Sequence, residues 1–196
     1  LEDVFKQLHG KQISYNNLLD IDSAIMLMED FKDAIPTFAI LKHNNACGFA
    51  SRPNLVEAYS SALEADPVSA FGGVLISNKE IDLQTATLIN NLFFEVVIAP
   101  SFDLEALGIL KSKKNRIILK QNNTIFPDKI VRSCLNGTLI QKRDSSVESI
   151  NSFELKTNHS PTSSQMEDLY FANKLAKHTK SNTIVLVKNQ QLLASG

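Results

Sequence analysis

An apolar run, Pro36-Thr37-Phe38-Ala39-Ile40-Leu41, ends abruptly in Lys42-His43-Asn44-Asn45-Ala46-Cys47-Gly48. A cation beside an imidazole is a pair with a specific chemical use. The neighbouring charge favours the neutral, basic form of the imidazole, and the ammonium can stabilise negative charge as it develops on an oxygen. That combination suits acyl or formyl transfer to a weak nitrogen nucleophile. Neighbouring side chains diverge along a strand, so the chain must bend here if both are to reach one substrate. The plainer alternative is a strand followed by a polar surface turn.

Other chemistries have less behind them. The four histidines, His9, His43, His159 and His178, form no His-x-x-x-His pair, and Cys47 and Cys134 form no Cys-x-x-Cys, so no zinc site is expected. The zinc-deaminase signature is missing for the same reason. Neither a Walker-type phosphate loop nor a Gly-x-Gly-x-x-Gly fingerprint is present. Cys47 beside His43 has the types of a nucleophile and base, although a thiol after a strand also serves as a small packing residue.

The elements that must hold Lys42 and His43 alternate. A short helix is expected over residues 1–10, ending at Gly10, and a second from Leu18 with Ile21, Ala24, Ile25, Met28 and Phe31 on one face. Pro36 stops that helix and starts the strand ending at Lys42, at whose carboxyl end a ligand is expected in an open α/β sheet. Asn54 caps the next helix with Glu57 at N3, and Leu55, Ala58, Tyr59, Ala62 and Leu63 face inward. Phe71-Gly72-Gly73 leads into a second strand; the glycines permit either close approach or a tight turn. Further strands are expected near 95–98, 117–119 and 183–187, with helices over 82–92, around Leu104, Leu107 and Leu110, and from Thr162 to His178. In that last helix Met166, Leu169, Tyr170 and Ala176 are placed inward. Lys111 to Arg116 reads as a solvated helix end. Residues 121–147 read as a β excursion turning at Asn136-Gly137, and 145–164 as a polar linker. Glu95, among five apolar residues, must be paired or wet. The fold class is α/β, a three-layer α/β/α sandwich whose sheet is mixed if the hairpin joins it.

Bulk properties are those of an ordinary globular chain: 196 residues, 43% hydrophobic, 21% charged and net charge −1. One domain is expected, with no overall field directed at nucleic acid or an anionic membrane. No apolar run reaches the roughly 18 residues of a membrane span. Cysteine usage points to a reducing, cytoplasmic setting. The chain begins without Met and stops just past an apolar strand, which reads as a fragment.

Five ordered segments carry a resemblance: Ser14-Tyr15-Asn16-Asn17-Leu18-Leu19-Asp20; Lys42-His43-x-Asn45-x-Cys47-Gly48; Glu64-Ala65-Asp66-Pro67-Val68-Ser69-Ala70-Phe71-Gly72-Gly73; Glu95-Val96-Val97-Ile98-Ala99-Pro100; and Lys180-Ser181-Asn182. Together they resemble the AICAR transformylase region of the AICAR transformylase/IMP cyclohydrolase family of purine biosynthesis. The resemblance implies the first of two zinc-free, cytidine-deaminase-like subdomains, with the cyclohydrolase domain upstream and the second subdomain downstream. It implies formyl transfer from 10-formyltetrahydrofolate, as cosubstrate, to AICAR, in a homodimeric parent.

Carried over by position, it makes Lys42 and His43 catalytic. His43 would take the proton of the substrate's 5-amino group, and Lys42 would assist charge build-up or the leaving nitrogen. It makes Gly72, Glu95 and Asn182 substrate contacts, has Phe71 wall the pocket, and places Asn17 on the same cleft. Ala46 stands where the family pattern has proline, which removes a φ restraint from the loop. The family's phosphate-binding arginine segment would lie before Leu1, so the chain alone is expected to lack turnover. The alternative from another class is a catalytically silent binding or dimerisation module of the same fold.

Overall fold

The computed structural model describes residues 3–123 and 125–196. Residues 5–9 pair as a strand, β1 (Phe5–His9), antiparallel to β6 (Ile117–Gln121), with Phe5 opposite Gln121 and Gln7 opposite Leu119. The helix expected over residues 1–10 is therefore corrected; Leu1 and Glu2 lie outside the described residues. Phe5 is buried in the core, and pairing with a core strand outweighs the weak local preference. Gly10 ends a strand, at φ +103°, where a Cβ would stand 2.2 Å from the Arg116 carbonyl oxygen.

Five helices follow the expected periodicities: α1 (Tyr15–Glu29), α2 (Leu55–Ala65), α3 (Leu83–Ile89), α4 (Leu104–Leu110) and α5 (Ser163–Lys177). Their starts are set by side-chain caps: Ser14 on α1, Asn54 on α2 and Thr162 on α5, each accepting the N3 amide. On α5 the buried residues are Phe171 and Leu175, whereas Leu169, expected inward, is exposed. None of the described helices is long and apolar enough to cross a membrane.

The main sheet has the order β1-β6-β5-β4-β2-β3-β10-β9, where β2 is Thr37–Lys42, β3 Asn45–Ser51, β4 Gly73–Ser77, β5 Phe94–Ala99, β9 Val185–Lys188 and β10 Gln191–Ser195. Pairs β4–β5 and β5–β6 are parallel and the rest antiparallel. The sheet is mixed on its own account, because the excursion forms a separate two-stranded sheet, β7 (Lys129–Cys134) with β8 (Gly137–Lys142). That hairpin turns at Leu135-Asn136, one residue before the expected Asn136-Gly137.

Alternate strand residues face opposite ways. Ala39, Leu41, Val74 and Ile76 join α1 and α5 in one core, and Phe38, Ile40 and Leu75 join α2, α3 and α4 in the other. This is the three-layer α/β/α sandwich. In the first core Phe31, Phe49 and Phe171 meet as rings 4.6–5.4 Å apart, with Phe171 edge-on to both others, a geometry that adds to the area they bury.

Candidate active site

Lys42 ends β2, but the chain does not leave the sheet there. His43 and Asn44 form a two-residue turn, at φ 52° and 67°, and Asn45 pairs directly with Lys42 to begin β3. Left-handed φ at both central residues is what a tight hairpin between twisted strands demands. This hairpin is the bend needed to present both side chains at one sheet end.

The turn is held from outside. The Asn44 amide donates to Asp20 Oδ1 at 2.8 Å, and Asn44 Nδ2 donates to the Leu19 carbonyl at 2.7 Å and to Ser23 Oγ at 3.0 Å. From the other side Lys180 Nζ donates to the His43 carbonyl at 3.0 Å, and the Lys180 amide to Asn45 Oδ1 at 3.3 Å. The His43 side chain itself is exposed.

Lys42 Nζ donates to the Phe71 carbonyl at 2.8 Å. Gly72 follows at φ +69°, and a Cβ there would lie 3.0 Å from Lys42 Nζ. The Gly72 amide donates to the Phe93 carbonyl at 2.8 Å. Phe71, 62% exposed, stacks at 5.0 Å on Phe93. Glu95 is the extra residue of a bulge: Gly73 pairs with Phe94 and Val74 with Val96. Bulges re-aim side chains, and this carboxylate, half-buried, meets Lys11 Nζ at 2.7 Å. It is paired as well as partly wet, which resolves how it sits among apolar neighbours.

An open groove of about 630 Å³ runs past Glu95, lined among others by Lys11, Phe93, Lys113, Lys114 and Arg116. Arg116 is 6% exposed, which corrects its reading as part of a solvated helix end. Its guanidinium lies 4.2 Å over the Phe94 ring and donates to Asn90 Oδ1 and the Leu110 carbonyl. Burial lowers its pKa.

Asn182 is exposed and precedes β9 at the same sheet end. Asn17 sits in the first turn of α1, where its Oδ1 accepts from Ser14 Oγ at 2.8 Å. The structure thus puts Lys42 in direct contact with the Phe71-Gly72 turn and hands Gly72 on to Phe93. It brings Glu95 in from the neighbouring strand, and joins His43 to the segment before Asn182 through Lys180. This end carries the amino termini of the parallel strands β4, β5 and β6, so the carboxyl-end expectation holds for β2 and for the antiparallel strands β1 and β10 but not for the parallel ones.

Cys47 bulges out of β3 toward the second core and donates its thiol to the Ile40 carbonyl at 3.4 Å. Burial, then the Asp66 charge, pushes that thiol up to about 11, so it is not a thiolate nucleophile at neutral pH. Among the described residues no three or more His, Cys, Asp or Glu side chains gather as a metal site would require. The partners sequence reasoning missed are Lys11, Phe93, Asp20 and the side chain of Lys180. Asp20 and Lys180 stood in the quoted segments without a role, and Lys11 carried no signal.

The chain as a whole is similar to known proteins. A family model described as "AICARFT/IMPCHase bienzyme" matches residues 2–196. The bifunctional purine biosynthesis protein PurH of Bacteroides thetaiotaomicron is 55% identical over 196 residues, all of this chain and 38% of the relative. PurH of Chlorobium phaeobacteroides strain BS1 is 42% identical over 196 residues, 100% of this chain and 37% of the relative. PurH of Ruminiclostridium cellulolyticum is 44% identical over 194 residues, 97% and 37% respectively. The chain therefore spans little more than a third of the length of these relatives. With its transformylase-like segments folded into one polar sheet end, and matched from residue 2 to residue 196, the chain belongs to the AICARFT/IMPCHase bienzyme family.

Proposed function

We propose that this chain supplies the Lys42–His43 half of an AICAR formyltransferase site, within a protein that also carries IMP cyclohydrolase activity. The observation that supports this most is the contact of Lys42 Nζ with the Phe71 carbonyl beside Gly72. It joins two segments about thirty residues apart into one polar edge of the sheet, with His43 next to it. The second subdomain of the parent and a partner copy would complete the folate side.

In the proposed reaction the 5-amino nitrogen of AICAR attacks the formyl carbon of 10-formyltetrahydrofolate. A carbon–nitrogen bond forms to the amine, the bond from the formyl carbon to N10 breaks, and FAICAR and tetrahydrofolate result. An amine conjugated to an imidazole carboxamide is a poor nucleophile, so proton removal must accompany attack. His43 takes that proton. Lys42 keeps one N–H on the Phe71 carbonyl and has two more. These stabilise the oxyanion of the tetrahedral intermediate, and one proton passes from Lys42 to the departing N10, replaced by the one His43 took from the amine. Glu95 keeps a carboxylate oxygen beyond the one facing Lys11, suited to an N–H of the substrate. Phe71 offers a flat apolar wall, the Gly72 carbonyl accepts, and Asn182 donates or accepts at the far side.

The test is His43→Ala in the full-length protein. General-base help is typically worth about 10²–10⁴-fold, so kcat should fall by that order with a smaller change in the KM for folate. Retention of full turnover would remove His43 from the mechanism.

A further inference from the structure

A catalytic base on a tight turn works only if the turn is stiff, and this one holds two residues other than glycine, His43 and Asn44, in the left-handed region. Such residues persist where their surroundings over-determine them. Here the surroundings grip one peptide group. Its carbonyl, from His43, accepts from Lys180 Nζ, and its amide, from Asn44, donates to Asp20 Oδ1. Carbonyl and amide point to opposite sides of a trans peptide plane, so the plane is held at both edges, from α1 and from the segment after α5. Fixing that plane fixes ψ of His43 and φ of Asn44, and hence the direction in which the His43 side chain leaves the backbone.

We propose that Lys180 and Asp20 are positioning residues for His43, acting through this peptide and not on substrate. The inference rests on the reading of His43 as the base. An internal comparison separates positioning from simple turn stabilisation. At the opposite sheet end the β9–β10 turn, Asn189-Gln190, also has φ 52° at both residues, and its two amides donate to the Asp168 carboxylate at 2.8 and 2.7 Å. Asp168 is a clamp of the same kind with no base to aim.

The experiment is steady-state kinetics and thermal unfolding of the full-length protein carrying Lys180→Met, Lys180→Arg, Asp20→Ala, Asp20→Asn, Asp168→Ala or His43→Ala. Lys180→Met and Asp20→Ala should each lower kcat roughly tenfold, the loss expected for a hydrogen bond to a charged group, with both KM values within about twofold. Lys180→Arg and Asp20→Asn keep a donor or an acceptor and should restore most of the rate. Asp168→Ala should lower the unfolding temperature and leave kcat alone. The proposal is overturned if Lys180→Met keeps kcat within about twofold of the parent. It is equally overturned if the loss appears only in KM, which would make Lys180 a substrate contact, or if Asp168→Ala loses kcat to the same degree. If His43→Ala is itself silent, the base assignment fails and the positioning inference falls with it. If His43→Ala loses turnover and Lys180→Met does not, only the positioning inference fails.

Discussion

Replacing Gly72 by alanine tests whether the backbone bend and the Lys42 ammonium act as one unit. Gly72 sits at φ +69°, where a residue with a Cβ is disfavoured by roughly 1–2 kcal/mol. The new methyl would lie 3.0 Å from Lys42 Nζ and 3.5 Å from Phe93 Cε1. The end of a lysine side chain moves away easily, so the steric contact adds little to the stability loss. Moving it, however, breaks the 2.8 Å bond to the Phe71 carbonyl. Stability should therefore fall by about 1–2 kcal/mol, which at roughly 2–4 °C per kcal/mol for a domain of this size lowers the unfolding midpoint by about 2–8 °C. Turnover of the full-length protein should fall about tenfold or more, because the ammonium no longer points where charge develops. Lys42→Met separates the two effects: the same loss of turnover with almost no change in midpoint, since no φ penalty arises. Calorimetry and a formyl-transfer assay on both variants decide the matter. An unchanged midpoint in Gly72→Ala would refute the strain, and an unchanged kcat would refute the coupling to Lys42.

Gly48→Ala should be more damaging, because its Cβ would lie 2.1 Å from the Ala62 carbonyl oxygen on α2; a loss of about 3 kcal/mol in denaturant titration is expected. At Asp30, burial alone would raise the carboxyl, but hydrogen bonds from His178 and Lys177 outweigh it and hold it below its ordinary value. A depressed folded-state carboxylate stabilises above the unfolded-state value of about 3.9 and loses that contribution as pH falls through the folded value. Asp30→Asn should therefore lower the midpoint at pH 7 and flatten its decline below about pH 4. Cys47, with its thiol raised to about 11, should resist iodoacetamide at pH 7 while exposed Cys134 reacts, as read by mass spectrometry, and Cys47→Ser should leave kcat nearly unchanged.

Much of the frame was legible along the chain. Ile21, Ala24, Ile25 and Met28 bury as their helical spacing requires, Asn54 caps where expected, and β2, β4 and β5 are the apolar runs. The candidate site stood out too, because Lys42-His43 ends an apolar run with residue types that a core does not need.

Local pattern could not reveal what depends on partners distant in sequence. β3 contains Asn45, Ala46 and Gly48 and reads poorly as a strand; it forms because β2 and β10 hydrogen-bond it on both sides and Gly48 lets α2 come close. Residues 5–9 carry one buried anchor, Phe5, and become a strand only because β6 offers an open edge. Arg116 looked solvated within a basic run, yet the Phe94 ring and the Leu110 carbonyl give its guanidinium an interior place. The sequence by itself determined the two periodicities, hence the layers, and the candidate site side chains. Tertiary structure alone decided the strand order, the hairpin turn that bends Lys42-His43, and the grip of Asp20 and Lys180 on one peptide plane. The physical reason is range: side-chain periodicity is a property of neighbours in sequence, whereas pairing and hydrogen bonding join groups that only folding brings within about 3 Å.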